Sequence, residues 1–409
     1  MLLSVIICVY DTPISFLNEC ILSIVNSTIL LCDYEIILVD DGSNRDYSEL
    51  VSKYSLRYIR TDKKGILSAR LTGIAAAEGK YVAFCDSDDT VSINYYLPML
   101  DRAVASGADI VFNDWAFRTE RVRYVCKRDS TVSSDFVLVG DEPLKRFFSV
   151  SGREHSYFVL WNKIYKREIL LSARARCLDF YSDGYNYSED ALINFFAFLS
   201  SSNVQNIHTG YYFYRIHTGQ SINVPTVERL DSQIDFMART LSVMRLCVAT
   251  LDDRDYYTQH LNSWTGLMAR THYTYAKNMG FVELYAKIQK LYNQAELKPS
   301  TRVDGGAYSS VRLLPENFEK IDKELLAVIK CSGERVVDSS TLDSYGKKTL
   351  ELAAIRGENI VLCRGKGIKI TRPKIRLALR ILHNRFFYLL ATFLFPKGSK
   401  IRAALKRLI

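Results

Sequence analysis

Two short apolar runs in this chain stop abruptly in acids. Glu35–Val39 runs into Asp40-Asp41-Gly42-Ser43, and Tyr81–Cys85 runs into Asp86-Ser87-Asp88-Asp89. Short apolar runs bounded by turn signals read as buried strands. Ser4–Val9 is a third such run and stops at Tyr10-Asp11-Thr12-Pro13; Arg57–Ile59 and Asp109–Phe112 read as two more. Between them, Phe16–Val25 carries apolar residues at helical spacing (17, 21, 24 and 25), and Leu67–Ala77 reads as a second helix ending before Gly79. Strands alternating with helices predict an α/β fold: a mostly parallel sheet covered by helices on both faces. Ligands of such sheets lie beyond the carboxyl ends of the strands, which is where these acids fall. Like charges gathered at one sheet edge cost stability unless a cation or hydrogen-bond donors offset them.

That edge offers groups suited to a base, a diphosphate and a divalent cation. Tyr10 offers a ring face for stacking a base, and Asp41 a carboxylate for a base N–H. Asp86 and Asp88 offer hard oxygens for Mg²⁺ or Mn²⁺ bridging a diphosphate, and Arg70 a donor fork to the base or phosphate side. No G-x-x-x-x-G-K-[ST] or G-x-G-x-x-G occurs, which argues against a P-loop NTPase and a dinucleotide enzyme.

The motifs SVIICVYD, EIILVDDGS, GILSARLTGIAAAEGKYVAFCDSDD and YSEDALINFF, in this order over roughly residues 3–220, resemble the inverting family 2 glycosyltransferases of GT-A (nucleotide-diphospho-sugar transferase) fold. The resemblance implies a nucleotide-sugar donor, most often a UDP-sugar. It places Tyr10 and Asp41 at the base, and Gly65 and Arg70 in the segment lining the nucleotide. It puts Asp86 and Asp88 on the metal-binding Asp-x-Asp motif, with Asp88 the first choice for direct ligation of Mn²⁺ or Mg²⁺. Glu189-Asp190 falls on the family's later Glu-Asp motif, whose Asp is the general base of an in-line displacement. The same pair also reads as helix N-terminal acids behind a Ser188 cap, and both readings can hold together. Three positions depart from the family pattern: Cys8 stands where Pro is usual, Asp11 where Asn is usual, and Lys63 where Asn is frequent.

Leu160-Trp161-Asn162-Lys163-Ile164-Tyr165 is similar to a recurring segment of the bacterial polysaccharide members, where it would serve the acceptor or the donor sugar. Trp161 could stack on a sugar or sit in the core, and Lys163 could bind substrate or be a solvated strand charge. Tyr214-Arg215-x-His217 and Ser221-Ile222 resemble another segment of the same relatives. Arg215, His217 and Ser221 could close over the diphosphate, with His217 an additional metal ligand.

After Val227 the character changes. Leu230–Leu251, Tyr256–Ala276 and Phe281–Gln294 are helical by spacing, and Phe318–Ile329 and Thr349–Ile355 could be further helices. Three parts are expected: a catalytic domain over 1–225 (a nucleotide-sugar half, 1–120, and an acceptor half, 121–225), a helical accessory region over 226–360, and a tail over 361–409. The accessory helices could brace the catalytic domain, bind the acceptor or pair two copies as a homodimer. The charge is uneven: residues 361–409 hold 13 Lys or Arg and no acid, whereas 1–360 carry a net −4. Phe386–Phe395 is an apolar run too short to span a bilayer. With basic flanks it suits an interfacial helix on an anionic leaflet, and it is an unusual arm for nucleic acid, which is not expected as a partner. A basic helix packed on the enzyme or on another protein is the plainer alternative. Nine cysteines with no C-x-x-C pair argue against a disulfide framework or a cysteine zinc site and suit a reducing cytoplasm. The expectation is a cytoplasmic, peripheral membrane glycosyltransferase acting on a glycan acceptor, lipid-linked, in capsule or cell-surface polysaccharide synthesis. The competing expectation is a catalytically inactive glycosyltransferase-like scaffold at the membrane.

Overall fold

The computed structural model describes residues 1–118, 122–126, 135–150, 154–215, 217, 226–293, 335–338 and 360–363. In chain order the elements are β1 (Leu3–Val9), α1 (Ile14–Val25), β2 (Tyr34–Asp40), α2 (Ser48–Tyr54), β3 (Arg57–Arg60), α3 (Ile66–Ala76), β4 (Tyr81–Asp86), β5 (Thr90–Val91), α4 (Tyr96–Ser106) and β6 (Ile110–Arg118). There follow β7 (Val122–Cys126), β8 (Val137–Val139), α5 (Glu142–Val150), β9 (Lys163–Lys166), α6 (Arg167–Leu178), α7 (Glu189–Leu199) and β10 (Asn203–Arg215). The last are α8 (Val227–Val248), α9 (Arg254–Met279), α10 (Tyr285–Asn293), β11 (Arg335–Asp338) and β12 (Ile360–Cys363). The expected helices at 318–329 and 349–355, Ser221 and most of the basic tail lie outside the described residues.

The sheet is mixed. Strands β3, β2, β1 and β4 are parallel neighbours, with Val9 beside Asp40 and Cys8 beside Asp86, so their carboxyl ends form one edge. Beyond β4 the direction alternates: β9 runs antiparallel between β4 and β6, and β10 lies parallel to β6. The mostly parallel sheet expected is thus interrupted by antiparallel β9, which separates the four parallel strands β3, β2, β1 and β4 from the parallel pair β6 and β10. Alternation along each strand sends side chains to two cores. Val5, Ile7, Ile36, Leu38 and Cys85 pack under α1 and α4. Ile6, Ile37, Val39, Val82 and Phe84 pack under α3, α6 and α7. Helix α3 comes so close to β1 that a Cβ on Gly73 would stand 2.5 Å from the Ile6 side chain, a distance only glycine permits.

Leu230, Ile234, Leu241, Leu261, Trp264 and Ile288 of α8–α10 belong to the same core as α5–α7. The described accessory helices therefore brace the layer that carries α7. None of the described helices is long and apolar enough to cross a membrane, and Cys8, Cys20, Cys32, Cys85, Cys177 and Cys247 are free thiols.

Candidate active site

The acids lie at the shared carboxyl edge because parallel strands of matched register end together. Tyr10, just past β1, is 44% exposed there. The Lys63 ammonium lies 4.3 Å over its ring centroid and donates to its hydroxyl. This contact was not legible in sequence, since Lys63 stands 53 residues from Tyr10.

Asp41 is buried, and its carboxylate organises the loop before α3. The backbone N–H groups of Lys64 and Gly65 donate to it at 2.9 and 2.8 Å, and the Thr61 hydroxyl at 3.3 Å. Gly65 has φ +96°, and a Cβ there would meet Asn186 Oδ1 at 2.8 Å. What lies against Gly65 is the loop 184–186. Gly184 N–H donates to Lys64 O (2.7 Å), Leu67 N–H to Tyr185 O (3.2 Å) and Ile66 N–H to Asn186 Oδ1 (3.0 Å). The free donors of the first turn of α3 thereby clamp the segment leading into α7.

That segment presents Glu189 and Asp190 in the first turn of α7, where the helix dipole favours negative charge. The expected Ser188 cap does not form. Ser188 has φ +61°, a left-handed conformation uncommon outside glycine and asparagine, and its side chain makes no capping hydrogen bond. Its hydroxyl lies instead 2.7 Å from that of Thr240 on α8.

Arg70, on α3, is 5% exposed and joins these pieces. Its guanidinium donates to Glu189 Oε1 at 2.6 Å and to Asp86 Oδ1 at 3.2 Å, and pairs with Asp190 Oδ1. The sequence expectation set Arg70 against the nucleotide. Its burial behind three carboxylates turns the fork inward. Burial raises the Asp86 carboxyl to about 6; Arg70 opposes the rise, and Asp88 and Glu189 add to it.

Asp88 is partly exposed and stands 2.8 Å from His217 Nε2, whose ring packs edge-on against Phe16 on α1. Asp89 is buried and accepts from the Arg215 backbone N–H at 2.6 Å; burial raises its carboxyl well above the usual range. Among the described residues no group of three or more His, Cys, Asp or Glu forms a ready metal cage. Mg²⁺ and Mn²⁺ are commonly held by one or two carboxylates with substrate phosphates completing the shell. Asp86 and Asp88 fit that mode: two oxygen donors on one turn, one of them destabilised in its charged form by burial.

Three residues expected to touch substrate take other places. Trp161 is 2% exposed and stacks on Tyr212 with ring centroids 4.3 Å apart, its edge against Trp115. Its face is covered by protein, and it acts on the site through Tyr212, whose hydroxyl accepts from Asp86 N–H at 2.9 Å. Lys163 is fully buried and donates to Ser156 O and Asn162 Oδ1, both at 2.6 Å, and to Val159 O. Burial pulls its pKa well below the ordinary lysine value. Lys163 opens β9, an inner strand, and Trp161 stands two residues before it, so both meet core rather than solvent. Arg215 donates through Nε to Asp88 O at 2.5 Å and through Nη2 to Glu19 Oε2 at 2.7 Å. It ties the Asp86–Asp89 turn to α1. Glu19, Tyr212 and Asn186 escaped the sequence reading because each meets the site only through tertiary contact.

Residues 4–170 match the model described as Glycosyl transferase family 2. They are a family 2 glycosyltransferase domain. The chain is 29% identical over 239 residues to the uncharacterized glycosyltransferase EpsJ of Bacillus subtilis (strain 168), covering 57% of this chain and 66% of EpsJ. It is 27% identical over 258 residues to the glycosyltransferase GlyA of Streptococcus pneumoniae serotype 4, covering 59% of this chain and 34% of GlyA. The chain thus spans between a third and two thirds of the length of these relatives. The structure of S. aureus TarS 1-349 in complex with UDP-GlcNAc superposes with a TM-score of 0.53 at 18% identity, covering 72% of this chain and 79% of that one. The family 2 domain and TarS share the fold: a mixed sheet flanked by helices, with helices following it in the chain.

Proposed function

We propose that this chain is a metal-dependent inverting glycosyltransferase that moves a sugar from a UDP-sugar to a hydroxyl of a lipid-linked glycan, in capsule or other cell-surface polysaccharide synthesis. One observation carries the reading: Asp86 from β4 and Asp190 from α7, far apart in sequence, meet around Arg70 at the carboxyl edge of a family 2 sheet. The solved complex of TarS with UDP-GlcNAc supports the donor class.

In this reading Tyr10 stacks the uracil ring once Lys63 swings aside, and Asp41 holds the loop 61–65 that walls the base. Asp86 and Asp88, with His217 beside Asp88, hold Mn²⁺ or Mg²⁺, which supplies positive charge to the departing diphosphate. Asp190 takes the proton of the acceptor hydroxyl as its oxygen attacks the anomeric carbon, and the bond from that carbon to the diphosphate oxygen breaks on the opposite face. Configuration inverts in one step with no enzyme-bound sugar. Residues 1–225 carry the chemistry, 226–360 brace it, and the basic tail 361–409 docks on an anionic membrane where a lipid-linked acceptor lies.

Thermal stabilisation by a panel of nucleotides and nucleotide sugars, with and without Mn²⁺, tests the donor site. A Mn²⁺-dependent shift with a UDP-sugar is expected. A shift with GDP- or dTDP-sugars alone would discard uridine, and no shift from folded protein would discard the enzyme. Deleting 361–409 is expected to abolish co-sedimentation with phosphatidylserine vesicles; a truncated chain that still pellets would discard the tail as anchor.

A further inference from the structure

We infer that Arg70 is a positioning residue, which sets the place of Asp190, rather than a contact to the donor. The inference rests on the glycosyltransferase reading above.

The geometry is that of a clamp between layers. Asp86 ends a strand, whereas Glu189 and Asp190 begin a helix 103 residues later in the chain. The guanidinium of Arg70 binds all three, and so sets the spacing between the acid of the diphosphate side and the acid of the acceptor side. The start of α7 is held from two further sides: by the loop 184–186 strapped to α3, and by Ser188 against Thr240. With 5% of its surface exposed, Arg70 has no free fork to offer a donor lying in the open edge.

Charge points the same way. The groups around Arg70 are Asp86 from β4, Glu189 and Asp190 from α7, the Cys8 thiol of β1 and the Tyr165 hydroxyl of β9; Asp88 and Asp89 lie on the turn beyond Asp86. Carboxylates dominate this list. The buried guanidinium offsets the mutual repulsion of these carboxylates and so lets them stand together. A lysine keeps the charge but lacks the planar fork needed to bind three partners at fixed angles.

Arg70→Lys and Arg70→Met in the full-length chain test this. In a transfer assay both are expected to lower kcat, about 10- to 100-fold for a displaced base, with donor KM within about twofold of wild type. A raised donor KM at unchanged kcat would overturn the inference and return Arg70 to the nucleotide.

A second readout needs no activity. In urea unfolding, Asp190→Asn should raise the midpoint of Arg70→Met protein relative to its effect in wild type, because it removes a charge left without its partner. Equal shifts in both backgrounds would overturn the pairing. If wild-type protein transfers no sugar from any donor, the glycosyltransferase reading fails, while the unfolding cycle still decides the clamp.

Discussion

The edge formed by β1, β2 and β4 and the segment from Glu154 to His217 are both rich in aromatic and charged residues, and the fold uses them differently. At the edge, Tyr10, Asp86 and Asp88 stand where a parallel strand has just ended, and each keeps some surface free. In the later segment Trp161, Lys163 and Arg215 are buried and already partnered, by Tyr212, by backbone carbonyls and by Glu19. Asp190 is the exception in that half, partly exposed at the start of a helix. The candidate site thus gathers where the parallel strands and α7 begin or end, and buried residues of the same types frame it.

The sharpest break of this comparison is Asp190→Asn. It keeps shape and removes the base, so transfer should fall by about 10²–10⁴-fold with UDP affinity unchanged in calorimetry. Lost UDP affinity would place Asp190 with the donor instead. Lys163→Met comes next. It leaves buried carbonyls without their donor, and the urea midpoint should drop by the equivalent of about 1–3 kcal/mol, while donor KM in the folded fraction stays put. A raised KM with normal stability would make Lys163 a substrate ligand and erase the contrast between the two regions. Lys63→Asn should have the smallest effect. Freed of its cation, the Tyr10 ring should bind UDP about two- to fivefold more tightly; weaker binding would mean that Lys63 contacts the nucleotide itself.

The parallel half was legible because its signals are local. A β-branched run that stops at Asp-Asp-Gly-Ser names a strand, its end and its chemistry at once, and the limits of β1, β2, β4 and α3 fall within a residue or two of the periodicity. The second half was not, because one fact decides it: β9 enters between β4 and β6 in the opposite direction. Four residues of alternating polarity carry no mark of being an inner strand. Without that fact a lysine at its start reads as solvated and a tryptophan before it as available.

The sequence by itself determined the strand-end acids, the Glu-Asp pair at the head of α7 and the family to which residues 4–170 belong, since each is a short pattern whose meaning does not depend on distant residues. Only the tertiary structure decided that Arg70 turns inward to three carboxylates, that Ser188 serves Thr240 rather than its own helix, and that Trp161 supports the site through Tyr212. Burial and pairing are set by what packs against a side chain, and those neighbours come from 16 to 120 residues away in the chain.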